Sequence, residues 1–363
     1  MSDNRKEAEE KMAKAIFISG DGWLSVFDLL PPSQLGLGIA LVSHRFDFYV
    51  DEHFKTRRWA LKFMEIRSKI GPNGAKQMEI FNARAKSMQI PQNPVPKKIV
   101  GFKALSIEYI DNSVIAFLRR FCPIVAAAVP INLVIDTDTD DDHRILALIM
   151  HRIWPLLGQN ICGMEMSVKI FHRLRQFVPS MLTDCHPSLR VVIFDADNLF
   201  IEFPADDSAV ASDGQAVAKW LFTTAHPNNV PKMLKCALDT TADGNLAARL
   251  EAFKAAFANA SSPANFIAAI FSTTSFIISV EPFDLINELT REQLALKRTE
   301  HWCFLLIRCP IVRDASKWAK WEEEAAIGLN FNDQRNQIDI QIYDENEIGD
   351  GLLDATLDDQ SDQ

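Results

Sequence analysis

Apolar runs of strand length alternate with amphipathic helical segments along the central part of the chain. The first four strand-like runs begin 28 to 30 residues apart. They span residues 102–110, 131–135, 161–168 and 189–194, and looser candidates begin at Met233, Phe266, Trp302 and Ile338. Strands that alternate with helices predict a parallel sheet with helices packed against it.

Short polar side chains that can cap a helix precede the apolar stripes between these runs. The candidate capping residues are Asp111, Asp142, Asp213 and Asp314. Leu246, Leu250, Phe253 and Phe257 form one further stripe at helical spacing, and residues 290–293 have the spacing of a capping box. We therefore expect a helix after most of the predicted strands.

A period near 29 residues, with one strand and one helix per unit, is typical of ribonuclease-inhibitor-like leucine-rich repeats. The regular Leu-x-x-Leu-x-Leu ladder of those repeats does not recur in this sequence. We predict an α/β repeat domain over residues 100–343 that resembles an irregular leucine-rich-repeat array. The pattern leaves open whether its sheet curves as a horseshoe or forms a flatter layer.

Three short helices are predicted between residues 16 and 59. The first carries Trp23, Leu24, Phe27 and Leu30 on one face, the second carries Leu35, Ile39 and Val42, and the third carries Phe46, Val50 and Phe54. Pro31 and Pro32 end the first helix and start the second. Helices this short bury little surface, so the unit is marginally stable alone and is a candidate docking module.

This segment resembles an F-box. It has an apolar start, a first helix that ends in Phe-x-x-Leu-Pro at residues 27–31, and Val-Ser-His-Arg-Phe at residues 42–46. It departs from the family at Ile18 and Ser19, where Leu-Pro is usual, and at Pro31, where Asp or Ser often stands. The resemblance implies that a Skp-type adaptor is contacted by Leu24, Phe27, Leu30, Pro31, Leu35, Ile39, Val42 and Phe46. It leaves open which of these side chains only hold the helices together.

Residues 50–59, 288–297, 307–311 and 317–322 look like the large F-box families of plant-parasitic nematodes. The resemblance implies a substrate receptor of a Skp–cullin–F-box ubiquitin ligase, in which other subunits carry out the chemistry. No catalytic residue, cofactor or metal is then expected, and the partners are the adaptor, the cullin bound through it, and an unknown target protein. The alternative is a protein-interaction scaffold that uses the F-box only for complex assembly. An enzyme with a degenerate site is a third reading, which no motif supports.

These interpretations divide the chain into five parts and predict an α+β fold. They are a charged N-terminal tail at 1–15, the three-helix F-box at 16–60, a connecting segment with a proline-rich linker at 61–99, the α/β repeat domain at 100–343, and an acidic tail at 344–363. The tail has eight acidic and no basic residues, so we expect it to be disordered. Target binding is therefore expected on the 100–343 domain.

Composition narrows the partners and the compartment. The 363 residues carry a formal net charge of −10, which argues against a nucleic-acid partner because phosphates bind clustered positive charge. No apolar run reaches the ~18–20 residues of a membrane span, and no apolar stretch follows the charged start, so neither a membrane anchor nor secretion is expected. The six scattered cysteines are typical of reduced thiols in a cytoplasmic or nuclear protein. Negative charge favours a basic target, but without the tail the chain is nearly neutral.

Three motifs suggest bound ions or phosphates, but each lacks residues that such a site requires. Residues 136–141 resemble a calcium loop but have Asp141 and Ala147 where Gly and Glu are required. Residues 158–163 have the glycine spacing of a phosphate-binding loop without the Lys and Ser/Thr that should follow. His301, Cys303 and Cys309 alternate as on one strand face, and no second cysteine pair completes a zinc site.

Overall fold

The computed structural model describes residues 18–30, 35, 39, 42–56, 59–70, 76–82, 87–89, 99–126, 130–137, 143–157, 160–184, 188–223, 230–238, 246–272, 281–299, 303–331, 336–349 and 351–353. The chain divides into two compact units, Met1–Trp59 and Ala60–Gln363. We describe each unit separately.

The N-terminal unit has two described helices, α1 (Gly20–Phe27) and α2 (His44–Thr56). Helix α1 begins where the Ser19 Oγ accepts a hydrogen bond from the Gly22 N–H at 3.2 Å, which satisfies one of the free amides of its first turn. Leu35, Ile39 and Val42 are the described part of the predicted second helix, and Pro31 lies outside the described residues.

The second unit is a mixed α/β fold, as the alternating pattern predicts. Its helices are α3 (Asn112–Ala126), α4 (His143–Leu148), α5 (Trp154–Leu157), α6 (Val168–Phe177), α7 (Met181–Asp184), α8 (Asp213–Phe222), α9 (Leu246–Ala258) and α10 (Ala315–Ile327), with a π-helical turn Ile149–Ile153 between α4 and α5 and a 3-10 turn Glu345–Glu347. Its strands are β1 (Trp59–Ile70), β2 (Lys76–Asn82), β3 (Ser87–Gln89), β4 (Ile99–Ile107), β5 (Ile131–Asp136), β6 (Ile161–Met166), β7 (Val191–Asn198), β8 (Lys232–Leu238), β9 (Phe266–Ser272), β10 (Phe283–Asn287), β11 (Glu292–Arg298), β12 (Cys303–Pro310) and β13 (Gln337–Gln341).

Capping residues explain where several of these helices begin. The Asp111 Oδ1 accepts hydrogen bonds from the Ser113 and Val114 amides at the start of α3, and Asp314 does the same for Ser316 and Lys317 at the start of α10. Helix α8 begins one residue earlier than predicted, because Ser212 and Gln215 form a capping box and Asp213 lies in the first turn.

The described strands form one sheet in the order β10-β11-β12-β9-β8-β7-β6-β5-β13-β4-β1-β2-β3. The paired strands from β9 to β4 run parallel, whereas β9, β12, β11 and β10 pair antiparallel, as do β1, β2 and β3. Strands β5 to β9 are neighbours in sequence order, each connected to the next through helices. This part of the sheet therefore has the simple succession that the near-29 period predicts.

Strand β13 departs from that succession because it inserts between β4 and β5. Asn336, which precedes it, is buried with φ +58°, a conformation that asparagine tolerates better than most residues. Its N–H donates to the Phe102 carbonyl at 2.8 Å, its Oδ1 accepts the Phe102 N–H at 2.9 Å, and its carbonyl accepts the Asn132 N–H at 3.0 Å. A Cβ on Gly101 would lie 2.9 Å from that Oδ1, so a glycine permits this close approach. Residues far apart in sequence thus tie β4 to β5.

The two faces of the sheet are covered differently. Apolar side chains of helices α3 to α9 pack with alternate strand residues in one large core. On the opposite face, Trp318 and Ala325 of α10, followed by Leu329 and Phe331, cover β7, β8, β9 and β12. The sheet is therefore helix-covered on one face and partly covered on the other.

A buried ion pair lies near the antiparallel end of the sheet. The Arg308 guanidinium donates to the Glu292 Oε2 at 2.6 Å and to the Ser262 carbonyl at 2.8 Å, and the Glu292 Oε1 accepts the Ala264 N–H at 2.8 Å. The guanidinium also stacks 4.8 Å from the Phe222 ring centre. These contacts offset part of the cost of removing both charges from water, and the Arg308 Nη1 makes no hydrogen bond among the described residues.

The structure corrects three predictions about local structure. Residues 61–99, expected as a connecting segment, contribute most of β1 together with β2, β3 and the start of β4, while the prolines at 91–96 lie outside the described residues. Apolar and polar residues alternate over residues 64–67 and again at 69–70, with Ser68 as the exception, which is the signal for β1. Residues 290–293, expected as a capping box, instead lie at the turn and start of the β10–β11 hairpin.

The third correction concerns the acidic tail. Ile348 and Leu352 are buried in the large core, and the Gly349 N–H donates to the Ile110 carbonyl at 2.8 Å. Two apolar anchors therefore hold residues 344–349 and 351–353 in the fold despite the acidic composition, and residues 354–363 lie outside the described residues. No helix of the described chain has the length and apolarity that a bilayer crossing requires.

Candidate functional site

The N-terminal unit has a very small core. Among the described residues, its buried apolar side chains are Phe27 on α1, Val50 on α2, and Leu35 between the two helices in the sequence. The Phe46 ring lies 4.8 Å from the Trp23 ring in an edge-on arrangement, and the two helices pack through such aromatic contacts. A core of this size stabilises a unit only marginally.

A buried histidine lies at the edge of this core. His53 of α2 packs edge-on to Phe27 at 5.8 Å between ring centres, and its Nδ1 lies 4.0 Å from the Asp28 Oδ1. Asp28 is also the C-cap of α1, where its N–H donates to the Leu24 carbonyl. The contacts of His53 with Phe27 and Asp28 hold the end of α1 against α2.

Four large apolar side chains are exposed among the described residues of this unit. Leu29 is 83% exposed and Val42 is 66% exposed, and Val26 and Phe48 are exposed as well. Apolar side chains that are exposed on so small a unit are candidate contacts for a partner. We call these four side chains, Val26, Leu29, Val42 and Phe48, the N-terminal apolar surface.

The side chains predicted to form the adaptor contact differ in their accessibility. Phe27 and Leu35 are fully buried, so they hold the unit together. Leu24, Leu30, Ile39 and Phe46 are partly buried and pack around those two. Val42 is the one exposed member among the described residues.

Sequence reasoning missed Val26, Leu29 and Phe48. Phe48 lies on α2 between the stripe positions 46 and 50, on the face that a stripe analysis assigns to water. Leu29 lies two residues after the last residue of α1, beyond the C-cap Asp28. An apolar residue at a position that the helix pattern reserves for polar side chains is the signal that would have identified Phe48.

The described part of the second unit gives the rejected motifs structural roles. Gly163 lies beneath the Phe331 ring, because an added Cβ would lie 2.6 Å from its Cζ and 2.5 Å from the Asn132 Oδ1. Cys303 and Cys309 are buried on the same face of β12 as Leu305 and Ile307. Burial raises the pKa of the Cys303 thiol to about 12 and that of Cys309 to about 11, so both are protonated at neutral pH. His301 lies outside the described residues.

Metal-ligating side chains do not gather in the described chain, since no group of three or more His, Cys, Asp or Glu residues there is placed to hold an ion. Of the calcium-like motif, Asp136 and Thr137 are described, and the Asp136 carboxylate accepts a hydrogen bond from the Tyr343 hydroxyl at 3.0 Å. Burial and this carboxylate raise the pKa of Tyr343 to about 12.

The face of the sheet on which α10 packs is polar at β13. On β13, Ile338 and Ile340 point into the large core, so Gln337, Asp339 and Gln341 lie on the other face. Burial raises the pKa of the Asp339 carboxyl above its ordinary value. The face thus combines an apolar part covered by α10 and an acidic part at β13 and β5.

Comparison of the chain with protein-family models, curated proteins and solved structures finds no match.

Proposed function

We propose that the chain is a substrate receptor of a Skp–cullin–F-box ubiquitin ligase, in which the N-terminal unit binds a Skp-type adaptor and the second unit binds a target protein. The observation that carries the proposal is the N-terminal apolar surface on a separate compact unit with a minimal core. The F-box-like motif at residues 27–31 and 42–46 lies in this same unit.

Burial separates the two roles that the motif residues can have. Phe27 and Leu35 stabilise the unit, whereas Leu29, Val42 and Phe48 offer apolar area to a partner. An adaptor that covers these side chains removes apolar surface from water at about 25 cal/mol per Å² and so stabilises a unit that is marginal alone. Docking and folding of the unit are therefore linked.

The second unit supports the receptor role as a separate recognition body. We infer that it is an irregular repeat-like α/β scaffold, because β5 to β9 succeed one another with helices on one face. Such arrays present broad surfaces suited to protein partners. The inserted β13 and the antiparallel ends distinguish it from an array of identical units.

The test is co-purification of the full chain with a Skp-type adaptor and a cullin. The amount of adaptor recovered with the double variant Leu29→Asp/Val42→Asp should fall at least about tenfold below that recovered with the wild type. An unpaired carboxylate is costly to bury in an apolar interface. Ile327→Asp is the matched control, since Ile327 is an equally exposed aliphatic residue at the end of α10. The circular dichroism of all three proteins should agree.

Unchanged adaptor recovery with the double variant would show that the assignment is wrong. If the adaptor binds but no associated protein accumulates when the chain is depleted, the scaffold alternative replaces the ligase role. A pulldown from proteasome-inhibited cells supplies the candidate proteins for that measurement.

A further inference from the structure

Among the described strands, the sheet ends at β10. Strand β10 pairs with β11 on one side and is the last strand in the order. Its five residues alternate in burial, with Phe283 and Leu285 packed against the large core and Asp284 and Ile286 exposed. An edge strand presents backbone N–H and C=O groups that another extended chain can pair with.

Exposed apolar side chains concentrate beside this edge. Ile286 is 60% exposed on β10, and Leu289 is 74% exposed in the β10–β11 turn. Ile311 and Val312 follow β12 and are exposed too, and the Ile311 N–H donates to the Arg291 carbonyl of the same turn at 3.1 Å. The strand register therefore brings all four side chains to one corner of the sheet.

This concentration is specific to the corner. The other large apolar side chains exposed in the described part of the second unit are Phe63, Val210, Ile327 and Tyr343, and they lie on four separate elements. Single exposed apolar residues are ordinary on a protein surface, whereas a group of four beside an open edge is typical of a binding site.

The charge along the edge indicates which strand fits. Glu281, Asp284 and Glu288 are exposed on and around β10, and Arg291 is an exposed cation of the turn. Lys254 lies over the Phe283 ring, but its charge is paired with Glu251 at 2.8 Å. A second copy of this chain would bring two acidic edges together, which is electrostatically unfavourable. A basic partner strand has the complementary charge.

We propose that the β10 edge, with Ile286, Leu289, Ile311 and Val312, binds an extended segment of a target protein that alternates basic and apolar residues, as an added β-strand. The main chain supplies pairing and the corner supplies apolar contacts for alternate side chains. The proposal rests on the proposed function in one respect, namely that the bound segment belongs to the ligase target.

The experiment uses the purified full-length protein and a fluorescent peptide of about eight residues, the length of a typical strand, that alternates Lys with Val or Thr. A matched peptide that alternates Glu with Val or Thr is the control ligand. Fluorescence anisotropy should show saturable binding of the basic peptide and no binding of the acidic one, and the affinity should fall when salt is raised from about 0.05 to about 0.5 M. Amide hydrogen exchange at residues 283–287 should slow in the complex.

Ile286→Lys should weaken peptide binding at least about tenfold, because it removes apolar contact and adds like charge. Leu289→Lys is a second variant in the turn and should act in the same direction. Val210→Lys is the matched control, since Val210 is a 94% exposed aliphatic residue elsewhere in the unit, and it should retain affinity within about twofold.

Equal binding of both peptides, or wild-type affinity in Ile286→Lys and Leu289→Lys, would overturn the proposal. A wild-type dimer that Ile286→Lys dissociates would overturn it in favour of self-association. Peptide binding requires no adaptor, so its failure leaves adaptor co-purification intact, and failure of the proposed function leaves peptide binding intact.

Discussion

Lys232 is a buried cation at the C-terminal end of helix α8. Its ammonium group donates to the Thr223 Oγ1 at 2.6 Å and to the Trp220 carbonyl, which are neutral groups at a helix end that favours positive charge. Burial lowers the pKa of Lys232 to about 8. The free lysine value is 10.5, so the unfolded chain binds a proton that the folded chain has released between these two pH values.

This difference predicts that the Lys232 contribution to stability rises with pH. The pKa is lower in the folded state, so the free energy of unfolding gains up to about 1.4 kcal/mol per pH unit between pH 8 and pH 10.5. We therefore compare the free energy of unfolding of the wild type with that of Lys232→Met, measured in urea at several pH values. The difference, wild type minus variant, should increase over this range. Below pH 8 the difference should be constant.

The buried thiols change stability in the opposite direction. Burial raises the pKa of Cys122 and Cys236 to about 12, so their ionisation favours the unfolded chain above pH 9. That effect is common to wild type and variant and cancels in the difference. A difference that stays flat from pH 8 to pH 10 would contradict the desolvation of Lys232.

At the scale of elements, short anchored segments contribute more than their composition suggests. The segment after β13 carries Asp344, Glu345 and Glu347, yet its Ile348 forms a β-bridge with Ile110 and its Leu352 is buried. The 3-10 turn Glu345–Glu347 begins with a capping box from Asp344. The acidic side chains face water while the apolar ones complete the core.

Leu352→Ala should therefore destabilise the second unit by about 2–4 kcal/mol, the cost of a large-to-small substitution in a core. Ile327→Ala is the control, because Ile327 is exposed and its truncation should change the free energy of unfolding by less than about 0.5 kcal/mol. Urea unfolding followed by circular dichroism measures both. Equal stabilities of the two variants would show that the segment is not part of the cooperative unit.

At the scale of the whole molecule, strand order depends on the C-terminal part of the chain. Strand β13 is the neighbour of both β4 and β5, so β5 has no direct pairing with β4. The Phe102–Asn336 hydrogen bond joins residues 234 positions apart. The parallel sheet is therefore complete only when β13, the last strand in the sequence, has been added between β4 and β5.

A chain that ends at residue 335 should lose cooperative unfolding, since β4 and β5 are left with unpaired backbone groups and part of the large core is missing. A chain of residues 60–363 should retain a single cooperative transition, because it contains the whole second unit. Differential scanning calorimetry separates the two outcomes. A sharp transition in the shortened chain would mean that β5 to β9 form a self-sufficient array.

Local patterns in the sequence determined most of the central elements. The apolar runs at residues 131, 161, 233 and 266 became β5, β6, β8 and β9, and Asp111 and Asp314 cap helices as their positions predict. Alternation, helical stripes and caps depend on neighbouring residues, and a single sequence displays them directly. The exposed fraction of Leu29 does not follow from such patterns, because Leu29 lies beyond the end of α1, where no helical stripe applies.

Only the tertiary structure decided the position of β13, the burial of Ile348 and Leu352, and the open edge at β10. Each depends on contacts between residues far apart in the chain, as the pairings of β13 with β4 and of Ile348 with Ile110 show. The same holds for Arg308 and Glu292, whose charges are stable in the core only because strand pairing brings them together. Composition and periodicity describe what a segment can form, whereas long-range packing selects its partner.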